Sequence, residues 1–285
     1  MHHPADYRRQ RIAIVLGTSE IASAVAVHLQ HARYGVVMSH DPHPPVIRRK
    51  MAFHDALFGD AVTVNGVRGE RADDGVQLFK ALRHSGRIQV TWLALPDLLT
   101  LGTIDVLVDA RLQKHRVKPD LRRLARLAIG LGPGFSSSAN CDVAIETRPG
   151  RSGLLVRDGW TDAADGVASP LGTAGAERFA YSSHSGRWYT AIEIGSRVFK
   201  GFVLGHLAGE AVRAPCDGML RGIARDGSEV PAGVKLLEID PRGRHAQWTG
   251  IDDRGRSIAR AVLRAVAVDT ATHSGVAVAM PSYPA

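Results

Sequence analysis

A strand, a turn and a helix near the start of the chain constrain its fold more than any other feature. The apolar run at 11–16 is typical of a buried parallel strand, small residues at 17–19 form a turn, and 20–32 carries apolar side chains at helical spacing. This order is the opening of a Rossmann unit. Because Ser19 and Ala22 replace the later glycines of the dinucleotide fingerprint, nucleotide binding and a Rossmann shape with another ligand both stay open.

Two later strands end in residues that suit ligand binding. The apolar run at 104–109 ends in Asp109, and Lys114 follows shortly after it. The apolar run at 127–129 leads into the glycine loop at 130–134. Because ligands of an open α/β sheet bind outside the carboxyl ends of its strands, we expect these residues to lie at one edge of a parallel sheet. A cap on a nearby helix or loop is the alternative role for Asp109.

A third apolar run, 143–145, is followed directly by the carboxylate of Glu146, the hydroxyl of Thr147 and the guanidinium of Arg148. Glycine N–H groups beside basic side chains are typical of an anion or cofactor site. The alternative is a tight turn between two core strands, in which Glu146 and Arg148 only brace the loop.

The predicted pocket combines all of these segments. The residues expected to orient or protonate a ligand are Asp109, Lys114 and Glu146. The residues expected to bind a cofactor are Gly17, Ser19, Arg48, Arg49, Gly130, Gly132, Gly134, Thr147 and Arg148. No set of metal ligands is predicted.

The composition excludes several classes of protein. The formal net charge is +8, but the basic residues are spread along the chain and no zinc-finger or RNA-binding motif is present, so we expect no nucleic acid partner. We also expect no membrane span, because no run of 18 apolar residues occurs. The two cysteines, Cys141 and Cys216, are too few for a disulfide framework and favour the cytoplasm.

The second half of the chain differs from the first in composition and in its secondary-structure pattern. Residues 149–180 are rich in small and polar side chains, and the sequence after Arg187 favours strands, with a hairpin predicted from 189–194 and 197–204. The spacing of Pro, Asp and Gly over 215–233 resembles half of a biotinyl or lipoyl barrel sandwich, without the lysine hairpin that carries such a cofactor. Residues 255–268 form a final helix.

The predicted fold class is therefore α/β. An N-terminal Rossmann-like domain over residues 8–155 is followed by a β-rich, barrel-sandwich-like domain with a C-terminal helix over residues 180–268.

Several segments together resemble one family. They are the turn and helix at 17–26, the Gly-Leu-Gly-Pro-Gly-Phe loop at 130–135, Ala144–Thr147 and the Ile-Asp-Pro-Arg-Gly motif at 239–243. This set is similar to the Rossmann-containing accessory family of the selenium-dependent molybdenum hydroxylase system, which is related to xanthine dehydrogenase maturation factors. The chain departs from the family after Thr147, where a family histidine is missing.

The resemblance implies an accessory or maturation protein for a molybdenum-containing oxidoreductase, which would bind an anionic cofactor or precursor of the molybdopterin type or a nucleotide. An NAD(P)-dependent oxidoreductase and a scaffold protein in a cofactor pathway are the alternatives. Whether the chain catalyses a reaction, and whether it forms a homo-oligomer, stays open at this point.

Overall fold

The computed structural model describes residues 10–42, 44–83, 86–114 and 116–274. Residues 8 and 9, with which the predicted first domain begins, lie outside the described residues. Among the residues that the structure describes, no helix combines the length and the apolar character that a membrane crossing requires. The division of the chain into domains at 8–155 and 180–268 stays a prediction.

The first half of the chain forms a nine-stranded sheet. Its strands are β1 (Ile12–Leu16), β2 (Gly35–Ser39), β3 (Val62–Val64), β4 (Val67–Arg71), β5 (Arg87–Thr91), β6 (Val106–Asp109), β7 (Leu127–Leu131), β8 (Val143–Ile145) and β9 (Leu155–Val156). They lie in the order β3-β4-β5-β2-β1-β6-β7-β8-β9. The strands from β4 to β8 are parallel to their neighbours, whereas β3 and β9 pair antiparallel at the two edges.

The sheet places the carboxyl ends of the strands predicted from the sequence beside each other. Leu16 at the end of β1 is opposite Asp109 on β6, and Asp109 is opposite Gly130 on β7. These central strands are buried, because apolar layers cover both faces of the sheet. The turns that follow β1, β6 and β8 therefore open on one side of the molecule.

The α-helices of the described residues are α1 (Glu20–His31), α2 (Gly75–Leu82), α3 (Leu95–Leu98) and α4 (Asp253–Ser274). Ser19 caps α1 by accepting a hydrogen bond from the Ala22 backbone N–H at 3.4 Å. The last helix, α4, returns from the far end of the sequence and packs against α1. Its apolar side chains, including Ile258 and Val262, belong to the same buried cluster as Ile21 and Val25 of α1.

The region after residue 178 forms two antiparallel four-stranded sheets with a common apolar core. Its strands are β10 (Phe179–Tyr181), β11 (Gly186–Tyr189), β12 (Arg197–Val198), β13 (Val203–Leu207), β14 (Glu210–Arg213), β15 (Gly218–Ile223), β16 (Glu229–Val230) and β17 (Lys235–Asp240). One sheet has the order β10-β17-β15-β12, and the other has the order β14-β13-β11-β16. Trp188, which is fully buried, lies in their common core.

The predicted fold class was wrong. Only β1, α1 and β2 follow the expected Rossmann order, because the sheet is mixed and the described residues between β6 and β7, and between β7 and β8, contain no helix. The hairpin predicted from 189–194 and 197–204 does not form, since β11 and β12 belong to different sheets. The final helix covers the first sheet instead of closing the β-rich region.

Candidate functional site

A cleft of about 580 Å³ lies between the carboxyl edge of the large sheet and the β-rich region. That volume is in the range of sites for small organic ligands. Seven of the residues predicted from the sequence line it, namely Gly17, Ser19, Arg48, Lys114, Glu146, Thr147 and Arg148. The other five, Asp109, Arg49, Gly130, Gly132 and Gly134, are not among its lining residues.

Asp109 is fully buried and engaged by its own neighbour. Its Oδ1 accepts from Arg111 Nε at 3.0 Å and from the Arg111 backbone N–H at 3.1 Å, and its Oδ2 accepts from an Arg111 terminal nitrogen at 2.5 Å. The same clamp recurs as Asp240 with Arg242 in β17. The Asp-x-Arg spacing is the sequence signal for this arrangement, and it gives Asp109 a structural partner.

The glycines of the loop allow close packing. A Cβ atom on Gly130 would lie 2.2 Å from the ring of Phe135, and one on Gly132 would lie 2.6 Å from Thr147 Oγ1. Gly132 also has a φ of +80°, which favours glycine, and its N–H donates to Ile145 O at 2.9 Å. Gly134 packs near Lys118, and its carbonyl accepts from Asn140. The described contacts of these glycines are therefore made within the protein.

Glu146 is buried, although its position after a strand suggested an exposed carboxylate. Its two oxygens accept three backbone N–H bonds, from Thr147 at 2.6 Å, Arg148 at 2.7 Å and Asp162 at 2.7 Å. A carboxylate that accepts several backbone bonds holds the loop around it in place. The geometry of Glu146 thus fits the bracing role that the sequence left open.

Thr147 and Arg148, which follow Glu146, line the wall of the cleft. The carbonyl of Thr147 accepts from Arg254 of α4 at 2.9 and 3.2 Å, which ties the last helix to the cleft. The half-exposed guanidinium of Arg148 lies 3.0 Å from Asp165 and 3.8 Å from Asp162. Exposed pairs of this kind exchange readily with other anions because water screens them.

Arg48 and Arg49 point to different places. Arg48 donates to both oxygens of Glu238, at 2.7 and 3.1 Å, and to Glu20 at 2.8 Å, so it joins β17 to α1 at the floor of the cleft. Burial by itself lowers the pKa of Arg48, but the two carboxylates outweigh it and hold the pKa above its ordinary value. Arg49 lines a separate cavity of about 410 Å³, where it bonds Asp55 at 2.5 Å.

Glu238 is the centre of this buried network. Besides Arg48, it accepts from Arg178 at 3.1 Å and lies 3.7 Å from Arg221. Burial raises the pKa of Glu238, but the cations, led by Arg48, lower it more, and the net shift is downward. The carboxylate is therefore held in its charged form beneath the cleft.

Lys235, at the start of β17, is the site residue that the sequence analysis missed as a ligand group. It lines the cleft, and its Nζ lies 3.7 Å from the ring centroid of Phe179. It makes no hydrogen bond or ion pair to any residue that the structure describes. Lys235 pairs with Tyr181 where the register between β10 and β17 shifts, and no sequence motif marks this position.

Burial, together with the nearby Arg48, Lys114 and Arg178, lowers the pKa of Lys235 from its ordinary value of 10.5 to about 8, against the opposing effect of Glu238. The face of Phe179 favours the charged amine by about 0.5–1 kcal/mol. This energy corresponds to less than about one pKa unit, which is smaller than the lowering just described, so the pKa of the amine stays below its ordinary value.

Lys114 is the second lysine amine of the cleft with no carboxylate bonded to it among the described residues. It is exposed, and no described residue forms an ion pair with it. The cleft therefore presents two uncompensated amines, one on each wall. Among the described residues, no group of three or more His, Cys, Asp or Glu side chains is placed to share a metal ion.

Comparison with known proteins gives one sequence relative and several remote structural matches. The chain is 32% identical over 277 residues to the uncharacterized protein YqeB of Escherichia coli K12. The match covers 96% of the chain, and the chain spans about half the length of this curated relative. No protein-family model matches the chain.

The structural matches carry other names. The ectoine utilization protein EutE (DoeB) of Ruegeria pomeroyi, in its apo structure, is 13% identical over 81% of this chain and 86% of its own, with a TM-score of 0.25. An aspartoacylase family protein of Mesorhizobium loti is 10% identical over 81% of this chain and 85% of its own, with a TM-score of 0.25. A succinylglutamate desuccinylase of Silicibacter is 13% identical over 81% and 84%, with a TM-score of 0.24.

These findings correct the family expectation. The predicted membership in the molybdenum hydroxylase accessory family was wrong, and so was the maturation function drawn from it: no family model matches the chain, and the structural matches are titled as ectoine utilization, aspartoacylase and desuccinylase proteins. Their TM-scores are too low for a fold or an activity to pass from them to this chain.

Proposed function

We propose that the chain binds a small organic anion, carrying a phosphate or a carboxylate group, in the cleft between the large sheet and the β-rich region. The observation that carries this proposal is the pair of amines, Lys114 and Lys235, that face the cleft without a carboxylate partner among the described residues. Two such charges close to each other repel, and an anion between them removes that repulsion.

The remaining lining residues support the same ligand class. Arg148 holds Asp162 and Asp165 only through half-exposed pairs, so its guanidinium is available to a competing anion. The acids of the floor are already neutralised, because Glu238 and Glu20 bind Arg48. Over the described residues that line the cleft, seven lysine and arginine side chains stand against five aspartate and glutamate side chains, so a negative ligand meets an excess of positive charge.

Calorimetry with the full chain tests the proposal. The probes are pyrophosphate, ADP and citrate, titrated at low and at physiological salt. We expect at least one probe to bind with a micromolar dissociation constant that weakens as salt rises, because screening reduces the attraction. Lys235→Met and Lys114→Met should each weaken that probe about tenfold, which corresponds to roughly 1.4 kcal/mol for a lost charged contact.

Lys200→Met is the matched control, since Lys200 is an exposed lysine of the same β-rich region that does not line the cleft. It should leave binding unchanged. No binding of any probe at millimolar concentration, or equal weakening by Lys200→Met, would contradict an anion site in the cleft.

For the cellular location we propose the cytoplasm. The support is the use of cysteine, because the chain has only two, and both are free thiols. Fractionation of the native host, followed by detection with an antibody, tests it. Recovery of the protein outside the cytoplasmic fraction would contradict this location.

A further inference from the structure

We infer that Lys235 is a carbonyl-reactive amine, and that the anion of the cleft is an aldehyde or ketone that forms an imine with Lys235 Nζ. This inference rests on the proposed anion site and names its substrate class. It assigns a chemical role to a side chain that is otherwise surrounded by groups of its own charge.

The first step is the position of the amine. Lys235 lies in the cleft wall at the start of β17, where the buried Phe179 ring supports its Nζ at 3.7 Å from the ring centroid. Tyr181 is its cross-strand partner and also lines the cleft. Since no described residue donates a hydrogen bond to Nζ or accepts one from it, the nitrogen lone pair is not engaged by the protein once the proton has left.

The second step is the charge around the amine. Burial, Arg48, Lys114 and Arg178 disfavour its protonated form, and Glu238, which opposes them, already binds Arg48 and Arg178. Desolvation beside other cations is a recognised way to activate a lysine for attack on a carbonyl carbon. With a pKa of about 8, about a tenth of the Lys235 amines are neutral at pH 7, whereas about one in several thousand ordinary lysines is.

The third step is the reaction. The lone pair of neutral Nζ attacks the carbonyl carbon, a C–N bond forms, the C–O double bond becomes single, and a proton passes from the nitrogen to the oxygen to give a carbinolamine. One proton from solvent then converts the hydroxyl into water, which leaves as the C–O bond breaks and the nitrogen lone pair forms the C=N bond of a protonated imine. No electron is transferred, and hydrolysis reverses the step. The anionic group of the same substrate would be bound by Lys114 and Arg148 across the cleft.

Borohydride trapping on the wild-type chain tests the inference without any variant that must fold. The carbonyl probes are glyoxylate, which carries a carboxylate, and pyridoxal 5′-phosphate, which carries a phosphate, and propanal serves as a neutral aldehyde. Borohydride supplies the hydride that converts an imine into a stable secondary amine. Because modification blocks tryptic cleavage at Lys235, a peptide from Asp226 to Arg242 reports labelling there.

We expect labelling at Lys235 to exceed labelling at Lys200 at least tenfold at pH 7 with one of the anionic probes. The excess should shrink above about pH 11, where ordinary lysine amines are neutral as well. Lys235→Arg keeps the charge and cannot form an imine, so it should abolish the fast labelling, whereas Lys200→Arg should not. Equal labelling of the two lysines at pH 7 with all three probes would overturn the inference.

The outcome is separable from that of the anion site. Binding of pyrophosphate or citrate without preferred labelling of Lys235 would leave the site intact and remove the imine. Preferred labelling by propanal, without binding of any anion, would keep the reactive amine and remove the anion site. Preferred labelling by glyoxylate alone, or by pyridoxal 5′-phosphate alone, supports the inference and assigns the anionic group.

Discussion

The two walls of the cleft differ in how far their polar groups are already satisfied. On the wall formed by the large sheet, the carboxylate of Glu146 is held by three backbone N–H groups, and Asp109, which is buried and does not line the cleft, is clamped by Arg111. On the β-rich wall, the amine of Lys235 has no bonded partner among the described residues, as is also true of Lys114 on the first wall. The comparison teaches that the acids with a distinctive sequence pattern build the scaffold here, whereas the two lysines face the ligand space.

The floor that joins the two walls gives the largest expected effect. Glu238→Gln removes the negative charge that Arg48, Arg178 and Arg221 share in a buried setting. Loss of one partner from a buried ion pair costs about 3–5 kcal/mol, and urea unfolding at pH 7 measures it.

The pH dependence of the same variant sharpens the test. Because the pKa of Glu238 is lowered in the folded protein, its contribution is fully present above its ordinary pKa of 4.5 and is lost as the pH falls below the folded-state pKa. The difference between wild type and Glu238→Gln should therefore shrink below pH 4.5. A difference that grows in acid would contradict this account.

The glycine loop gives the next effect. Gly132→Ala forces a Cβ to within 2.6 Å of Thr147 Oγ1 at a φ of +80°, so we expect a loss of about 2–4 kcal/mol from strain and overpacking. Gly66→Ala is the matched control, because Gly66 has the same φ but nothing within 4 Å. It should cost about 1–2 kcal/mol. Equal losses in thermal unfolding would show that the packing against Thr147 contributes nothing.

Glu146→Gln tests the brace on the first wall. The amide keeps one acceptor oxygen and presents an N–H₂ group to backbone donors, so we expect a loss of about 1.5–3 kcal/mol. Glu193→Gln, at a side chain that is 81% exposed, should cost less than about 0.5 kcal/mol. If Glu146→Gln is as stable as wild type but binds no anion, the carboxylate serves the ligand instead of the loop.

Lys235→Met is the change expected to cost no stability, and it completes the contrast between the walls. At pH 7 it should raise the unfolding free energy, by at most about 3 kcal/mol, because the amine makes no bond that would be lost and its protonated form is disfavoured in the folded protein. Since the pKa of Lys235 is lowered on folding, the unfolded chain binds more protons between pH 8 and 10.5. Wild type should therefore gain stability relative to the variant over that range, as measured by urea titrations.

In the first half of the chain, a strand or helix could be predicted from the sequence where the apolar pattern of its own residues determined it. The strand expected over 11–16 is β1, the helix expected over 20–32 is α1, and the runs that end at Asp109 and begin at Leu127 are β6 and β7. These segments are apolar enough to be buried whatever surrounds them. The overall architecture was not predictable in this way, because the described residues that connect β6, β7 and β8 contain no helix.

The site was predictable in place but not in role. The shared edge of parallel strands brought Gly17, Lys114 and Glu146 to one cleft. Whether a carboxylate faces a ligand or its own loop depends on backbone N–H groups that lie as far away as Asp162. Lys235 was missed because its environment comes from three distant segments, around Arg48, Lys114 and Arg178. A residue whose chemistry is set by such neighbours has no local motif.

The return of α4 onto α1 has a consequence for synthesis on the ribosome. The apolar face of α1 is complete after His31, but its cover, with Ile258 and Val262, is made about 220 residues later. At translation rates of about 5–20 residues per second, that face waits about 10–45 seconds for its partner. A nascent chain of this protein therefore offers an uncovered apolar surface to chaperones until nearly all of the described sequence has been synthesised.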